Sequence, residues 1–165
     1  MTDMAKPDDV DQIVAAWQVQ RPDLDPSPLH VLSRLTRVSA QLDTARAKAF
    51  RDHNLDSWEF DVLAALRRTG PPFTLSAGTL ATQTHVTSGT MTTRVDRLLE
   101  RGFVTRFPDQ NDRRGVLVAL TPAGQSGVDG AFKDLLEREK TALAGLGPKE
   151  QEQLADLLRE LLDQF

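Results

Sequence analysis

Apolar side chains recur at helical spacing along most of the chain, and capping residues, prolines and glycines mark where each stretch begins and ends. The pattern predicts an N-terminal helix over about residues 8–20. It also predicts long amphipathic helices over residues 27–52 and 121–165, with a new helix beginning at Pro148. Most of the chain is therefore expected to be helical.

Local capping signals set several of these boundaries. Ser27 followed by Pro28 predicts a cap and a first-turn proline for the helix over residues 27–52. The sequence DSWE, from Asp56 to Glu59, is typical of a capping box that opens a further helix. Ser76 predicts the cap of a short helix that follows the Gly70-Pro71-Pro72 break.

The stretch from Leu75 to Gly124 departs from this all-helical pattern. A helix that begins at Thr87 or Ser88 ends at Gly102, a residue type that closes helices in the left-handed conformation. Its predicted buried stripe consists of Met91, Val95, Leu98 and Leu99. Two runs rich in β-forming residues follow, and the polar loop PDQNDRRG separates them.

These elements predict a fold that is mainly α with a small β-wing. The expected architecture is a winged helix-turn-helix over residues 55–121, flanked by the long helices at both ends, in a single domain of 165 residues. The long helices carry more apolar surface than so small a winged unit can cover, so residues 27–52 and 121–165 are expected to form a homodimer.

Short side chains occupy the outer face of the helix that begins at Thr87 or Ser88. They let the backbone approach base edges and phosphates, and the N-terminal amides favour a phosphate. Two adjacent arginines in the polar loop can reach phosphates or the minor groove. Each feature alone is more often a solvated surface, but together they predict an interface with double-stranded DNA. The residues predicted to contact DNA are Thr87, Ser88, Gly89, Thr90, Thr93, Arg97, Arg113 and Arg114.

Net charge and cysteine content limit the classes of protein to which the chain can belong. The net charge is −4, yet residues 87–114 hold six arginines against four acids, whereas residues 129–165 hold nine acids and five bases. The chain has no cysteine, which excludes disulfides, zinc sites with cysteine ligands and thiol-based redox sensing. No apolar run approaches the ~20 residues that span a bilayer, so we expect a cytoplasmic protein without membrane contact.

No catalytic, metal or cofactor site is indicated. The three histidines, His30, His53 and His85, are scattered and lack metal-binding spacing. Ser88-Gly89 does not belong to a nucleophile elbow, because Val86 stands where that motif needs glycine. The chain is therefore expected not to be an enzyme; the alternatives left open are an enzyme acting on an aromatic anion and a purely structural helical dimer.

Taken in order, these residues resemble the MarR family of winged helix-turn-helix regulators. The family's wing motif, D-x-R followed by an apolar strand and LT-x-x-G, stands here as Asp112, Arg114, Leu120, Thr121 and Gly124. The resemblance covers about residues 29–165 and adds Asp112 to the predicted DNA-binding residues. It implies a regulator whose dimer places two recognition helices about one turn of DNA apart, on a pseudo-palindromic operator.

A second set of residues predicts a ligand site. Arg94 lies at the margin of the buried stripe, and Arg106 lies between Thr105 and Phe107 on the first wing strand, so both arginines are expected to need an anion. Asp61 precedes them in a helix that should lean on the recognition helix. The simplest interpretation is an ion pair between Asp61 and one arginine, with Trp17 only anchoring the added N-terminal helix.

Trp17, Asp61, Arg94 and Arg106 also match, residue for residue, the ligand set of the urate-responsive branch of the MarR family, which carries an extra N-terminal helix too. That resemblance implies that an arginine binds an anionic purine, that Trp17 packs on its ring and that Asp61 responds to it. It implies a repressor that urate or a related aromatic anion releases from DNA; a different phenolic ligand is the alternative.

Overall fold

The computed structural model describes residues 6–110 and 115–165, and these residues form seven α-helices and three β-strands. In chain order the elements are α1 Asp9–Gln20, α2 Leu29–Arg51, α3 Ser57–Arg68, β1 Thr74–Ser76, α4 Ala77–Gln83, α5 Ser88–Glu100, β2 Val104–Pro108, β3 Val116–Leu120, α6 Pro122–Leu143 and α7 Pro148–Leu162. The expected fold class, mainly helical with a small β-wing, is confirmed. None of the described helices is long and apolar enough to cross a lipid bilayer.

The chain forms two compact units, one ending at Thr44 and the other running from Ala45 to Phe165. In the first unit, the Asp8 carboxylate caps α1 by accepting hydrogen bonds from the Val10 and Asp11 amides. The Arg34 guanidinium also binds the Asp8 carboxylate, and this hydrogen bond lowers the pKa of Asp8 to about 2. The predicted start of the N-terminal helix is confirmed.

The predicted start of the second helix is wrong by two residues. The helix begins at Leu29, and Ser27 does not cap it because the Leu29 and His30 amides bond to backbone carbonyl oxygens instead of to the Ser27 hydroxyl. The Ser27 hydroxyl itself donates a hydrogen bond to the Asp25 carboxylate at 2.8 Å. Backbone bonds from Leu29 to Pro26 and from His30 to Ser27 make a tight turn before the helix. The proline therefore precedes the first helical residue instead of occupying it.

The second unit holds the winged helix-turn-helix elements. Its sheet is antiparallel in the order β1-β3-β2, with Leu75 and Arg106 both opposite Val118. Strands β2 and β3 were predicted, whereas β1 was not, because only three residues form it and its last residue, Ser76, also caps α4. From the sequence alone, Ser76 is recognisable as a helix cap but not as the end of a strand.

The core of this unit lies between α3, α4, α5, α6 and the sheet. The rings of Phe50 and Phe60 stack with centroids 4.1 Å apart at its edge. The predicted stripe on α5 is confirmed, since Met91, Val95 and Leu98 are buried and Leu99 is partly buried. The side of α5 opposite this stripe is thereby left facing solvent.

Two close contacts join the end of α5 to the start of α6. Gly102, at φ +71°, turns the chain after α5, and the Thr121 hydroxyl donates a hydrogen bond to its carbonyl oxygen at 2.7 Å. Thr121 also caps α6 through the Gly124 amide. Gly124 packs directly against the Phe103 carbonyl group, so close that a Cβ at position 124 would overlap it. These contacts fix the base of the β2–β3 hairpin, which we call the wing.

Candidate DNA-binding surface and ligand site

The N-terminus of α5 is capped and its outer face is open. Thr87 accepts a hydrogen bond from the Thr90 amide at 3.2 Å, and the two hydroxyls lie 2.9 Å apart. The Ser88 and Gly89 amides have no hydrogen-bond partner among the described residues, and the first turn contains no acidic residue. The exposed residues on this face include all six predicted on α5 and its cap: Thr87, Ser88, Gly89, Thr90, Thr93 and Arg97.

A short turn joins α4 to α5 and sets the angle between them. His85 adopts the left-handed conformation there at φ +53°, and the Val86 amide bonds to the Ala81 carbonyl oxygen at 3.0 Å. Leu80 and Ala81 of α4 are buried beneath α5. The arrangement is that of a helix-turn-helix whose second helix can present its N-terminal half to a DNA major groove.

The wing is described up to its last turn. A backbone hydrogen bond from the Asp109 amide to the Gly115 carbonyl oxygen, 2.9 Å long, joins the two strands at the described end of the hairpin. The predicted wing-tip residues Asp112, Arg113 and Arg114 lie outside the described residues. Their role in binding DNA stays a prediction.

Arg106 pairs with a different carboxylate from the one expected. Its Nη1 atom lies 2.7 Å from Oδ1 of Asp96 on α5, and both side chains are exposed. The expected pairing with Asp61 is wrong because β2, at the edge of the sheet, runs beside the second half of α5, where Asp96 projects. The Arg106–Asp96 pair thus connects the wing to the recognition helix.

Asp61 makes no ion pair within the described part of the chain. Partial burial by the surrounding protein raises the pKa of this carboxyl group, although the positive charges of Arg94, Arg68 and Arg46 act in the opposite direction. Arg94 is partly buried, as predicted, and its guanidinium carbon lies 5.5 Å from the centroid of the Trp58 ring. The expected ion pair between Asp61 and Arg94 is therefore replaced by a cation–π contact.

Trp17 belongs to the first unit, whereas the other three predicted ligand residues belong to the second. Its side chain is about half exposed and borders a hollow of about 420 Å³. The walls of the hollow are almost wholly apolar and include Leu24, Pro26, Pro28 and Leu29. A flat ring would find an aromatic and aliphatic surface here.

The second unit contains a cavity of about 470 Å³ that the sequence did not reveal. Its walls are apolar side chains of α3 and α6, namely Phe60, Ala64, Val128, Phe132 and Leu135. Arg46 and Arg67 at its rim pair with Glu139 and Asp129, at 2.7 and 2.8 Å. Arg68, also at the rim, makes no ion pair with any described residue. The two adjacent arginines at the end of α3, Arg67 and Arg68, were the one sequence feature that could have indicated this cavity.

Comparison with known proteins decides the family. The model for the MarR family matches residues 55–116. Over 155 residues the chain is 36% identical to the HTH-type transcriptional regulator PecS of Dickeya dadantii (strain 3937), covering 94% of this chain and 93% of that protein. The chain belongs to the MarR family. This MarR-family protein is accordingly a transcriptional regulator and not an enzyme, as predicted.

Two solved structures share the fold. One is Bordetella bronchiseptica BpsR, reported with the mechanism by which 6-hydroxynicotinic acid regulates its DNA binding; identity is 28%, the TM-score is 0.68, and the match covers 81% of this chain and 93% of that one. The other is Sco3205 of Streptomyces coelicolor in complex with DNA, at 20% identity and a TM-score of 0.74, covering 86% and 89%. The second likeness, at that identity, concerns the fold alone.

Proposed function

We propose that this MarR-family regulator is a homodimeric repressor that binds a pseudo-palindromic operator in the cytoplasm and is released by urate or a related aromatic anion. The observation that carries the proposal is the N-terminal half of α5, where the Thr87 cap, short exposed side chains and the free Ser88 and Gly89 amides among the described residues share one open face. A surface of this kind suits close approach to a groove.

The proposed dimer is supported by apolar side chains that the chain leaves exposed. On the C-terminal helices the exposed residues are Phe132, Leu136, Leu143, Leu154, Leu157 and Leu162. On α2 they are Val31, Leu32, Leu35 and Val38. Soluble monomers rarely expose so many large apolar groups in continuous helical rows, and a second copy of the chain covers them by symmetry.

The proposed ligand is supported by arginines placed beside apolar surface. Arg94 stands over Trp58, and Arg68 stands at the rim of the 470 Å³ cavity without an ion-pair partner among the described residues. An aromatic anion offers a ring for the apolar walls and a charge for an arginine. The dependence of BpsR on 6-hydroxynicotinic acid, an aromatic acid, supports the same ligand class.

The Arg106–Asp96 pair suggests how ligand could weaken DNA binding. An anion that takes Arg106 leaves the Asp96 carboxylate unpaired on α5, where it repels the phosphates of an operator. An anion at Arg94 would similarly add negative charge beside Asp61 and favour protonation of that carboxyl group. Either change in charge can supply the ~1–3 kcal/mol of coupling typical between two sites, which lowers DNA affinity about 5- to 150-fold.

Operator binding by two variants tests the DNA surface. Arg114→Ala should weaken binding to all duplexes and lower the dependence of log K on log salt by about 0.9, because a wing arginine mainly releases counterions. Thr90→Val should instead change which base pairs are preferred, with about 1–3 kcal/mol at a contacted position. Lys149→Ala, a surface change near the start of α7, serves as the control. Unchanged binding by both test variants at matched salt would place the DNA surface elsewhere.

A further inference from the structure

Glu59 is an acidic side chain with almost no exposure, at 2%. It occupies the first turn of α3, where its Oε2 atom accepts a hydrogen bond from the Asp56 amide at 2.9 Å. A capping carboxylate does not need to be buried to make that bond, since caps at the surface form it equally well. Burying a charge is unfavourable unless a partner compensates it, so the buried position calls for another explanation.

Arg101 is that partner. Its Nη1 donates to the same Glu59 oxygen, and its Nη2 donates to the Asn54 carbonyl oxygen. The guanidinium carbon also lies 4.7 Å from the centroid of the Phe103 ring. Three directional contacts therefore hold one arginine, and two of them belong to the segment that opens α3.

The place of Arg101 in the chain gives this pair its significance. Arg101 is the C-cap residue of α5, the recognition helix, and directly precedes the Gly102 turn into the wing. Most other contacts of α5 with the core are made by apolar side chains such as Met91, Val95 and Leu98, and Arg94 adds a cation–π contact with Trp58. Apolar packing has little directional preference, so such a face tolerates small rotations and shifts along the helix axis.

We propose that the Glu59–Arg101 pair sets the rotation and axial position of the recognition helix and thereby acts in operator recognition without touching DNA. A rotation of α5 that misaligns the N-terminal contact face also separates the buried carboxylate from the one cation that pairs with it among the described residues, which opposes the movement. Glu59 and Arg101 are thus positioning residues. The inference rests on the proposed use of α5 to bind DNA.

Three single variants separate positioning from other roles. Glu59→Gln keeps the shape and the cap but removes the charge, and Arg101→Met keeps the aliphatic stem but removes the guanidinium. Arg101→Lys keeps the charge without the fork that spans Glu59 and Asn54. Glu100→Gln and Arg51→Met are matched controls, because they remove one exposed charge of each sign close to the pair. All variants are compared by fluorescence anisotropy on an operator duplex selected with the parent protein and on a scrambled duplex. The measurements are made at several salt concentrations and at a temperature below the melting temperature of every variant.

If the pair positions α5, Glu59→Gln and Arg101→Met each weaken operator binding about 5- to 150-fold, which is the value of one well-aligned base contact. Binding to the scrambled duplex and the salt dependence stay at parental values, Arg101→Lys gives an intermediate loss, and the Glu59→Gln/Arg101→Met double variant loses no more than one single variant. The two controls bind as the parent does.

Three results overturn the inference. If Arg101→Met alone weakens binding to both duplexes and lowers the salt dependence by about 0.9, Arg101 contacts a phosphate directly. If the variants melt at lower temperature yet bind the operator like the parent, the pair only stabilises the fold. If the parent protein binds no duplex at all, the proposed function fails, and the inference fails with it; only this last outcome removes both.

Discussion

Replacing Gly124 with alanine tests the packing that fixes the base of the wing. An ideal Cβ at this position would lie 3.0 Å from the Phe103 carbonyl carbon and closer still to its oxygen, so the backbone itself must move. That carbonyl oxygen also accepts a 3.1 Å hydrogen bond from the Thr121 amide, which the movement would strain. The added Cβ would clash with the main chain of Phe103, so no side-chain rotation relieves the clash.

The expected magnitude follows from these contacts. Overpacking of this kind costs about 1–3 kcal/mol, and the gain from replacing a helical glycine with alanine offsets only ~0.5–1 kcal/mol of it. Gly127 lies in the same helix, and a Cβ there would meet nothing within 4 Å. Gly127→Ala should therefore stabilise the protein by about 0.5–1 kcal/mol.

Thermal unfolding of the parent and both variants, at one protein concentration, makes the comparison. For a chain of this size ~1 kcal/mol corresponds to about 2–4 °C, so Gly124→Ala should melt lower by several degrees and Gly127→Ala slightly higher. The packing argument is refuted if the two variants melt within a degree of each other. It is also refuted if Gly124→Ala unfolds no earlier than the parent protein.

Two further predictions concern Thr87, which caps the recognition helix, and Asp61, an acidic residue of α3. Thr87→Ala removes the side chain that caps α5 and should cost about 0.5–2 kcal/mol in urea unfolding, whereas Thr92→Ala on the same helix should cost less; equal losses would contradict the cap. The pKa of Asp61 is higher in the folded protein than in the unfolded chain, where it is about 3.9. The contribution of Asp61 to the free energy of unfolding is therefore fully present below that unfolded pKa and is lost as the pH rises through the folded pKa. Asp61→Asn should therefore melt no lower than the parent at pH 7, and its advantage should shrink towards pH 4; a lower melting temperature at pH 7 would show that Asp61 makes a favourable pair.

Helices and caps were the features most readily predicted from the sequence. Apolar periodicity and single capping residues act over three or four positions, so the starts at Asp8, Thr87 and Thr121 could be found from local residues alone. Ser27 failed as a cap because a tight backbone turn before α2 engages the amides that its hydroxyl would have bound. Strand β1 was missed because three residues show no alternation, and it is a strand only because β3 offers a free edge.

Contacts between distant residues were not predictable in the same way. Asp96 and Arg106 are ten positions apart, and their pairing depends on the direction in which β2 runs past α5. Glu59 was interpreted as a capping residue, and this is confirmed. Its ion-pair partner Arg101, however, lies 42 positions further along the chain. Sequence patterns show which face of a helix is buried, and they do not show which charged group of another element meets it.

The central claim is that an aromatic anion controls the binding of this protein to an operator. The most direct test is fluorescence anisotropy of a selected operator duplex titrated with urate, carried out with the parent protein and with Arg106→Ala, Asp61→Asn and Trp17→Ala. We predict that the parent binds a two-fold symmetric duplex and that urate lowers its affinity about 5- to 150-fold. Arg106→Ala leaves Asp96 unpaired without any ligand, so it should bind the duplex about as weakly as the urate-bound parent and should no longer respond to urate. Asp61→Asn should respond weakly, and Trp17→Ala should need a higher urate concentration for the same effect. A parent protein that binds the duplex but is released by neither urate nor any other aromatic anion would contradict the account, as would three variants that all respond like the parent.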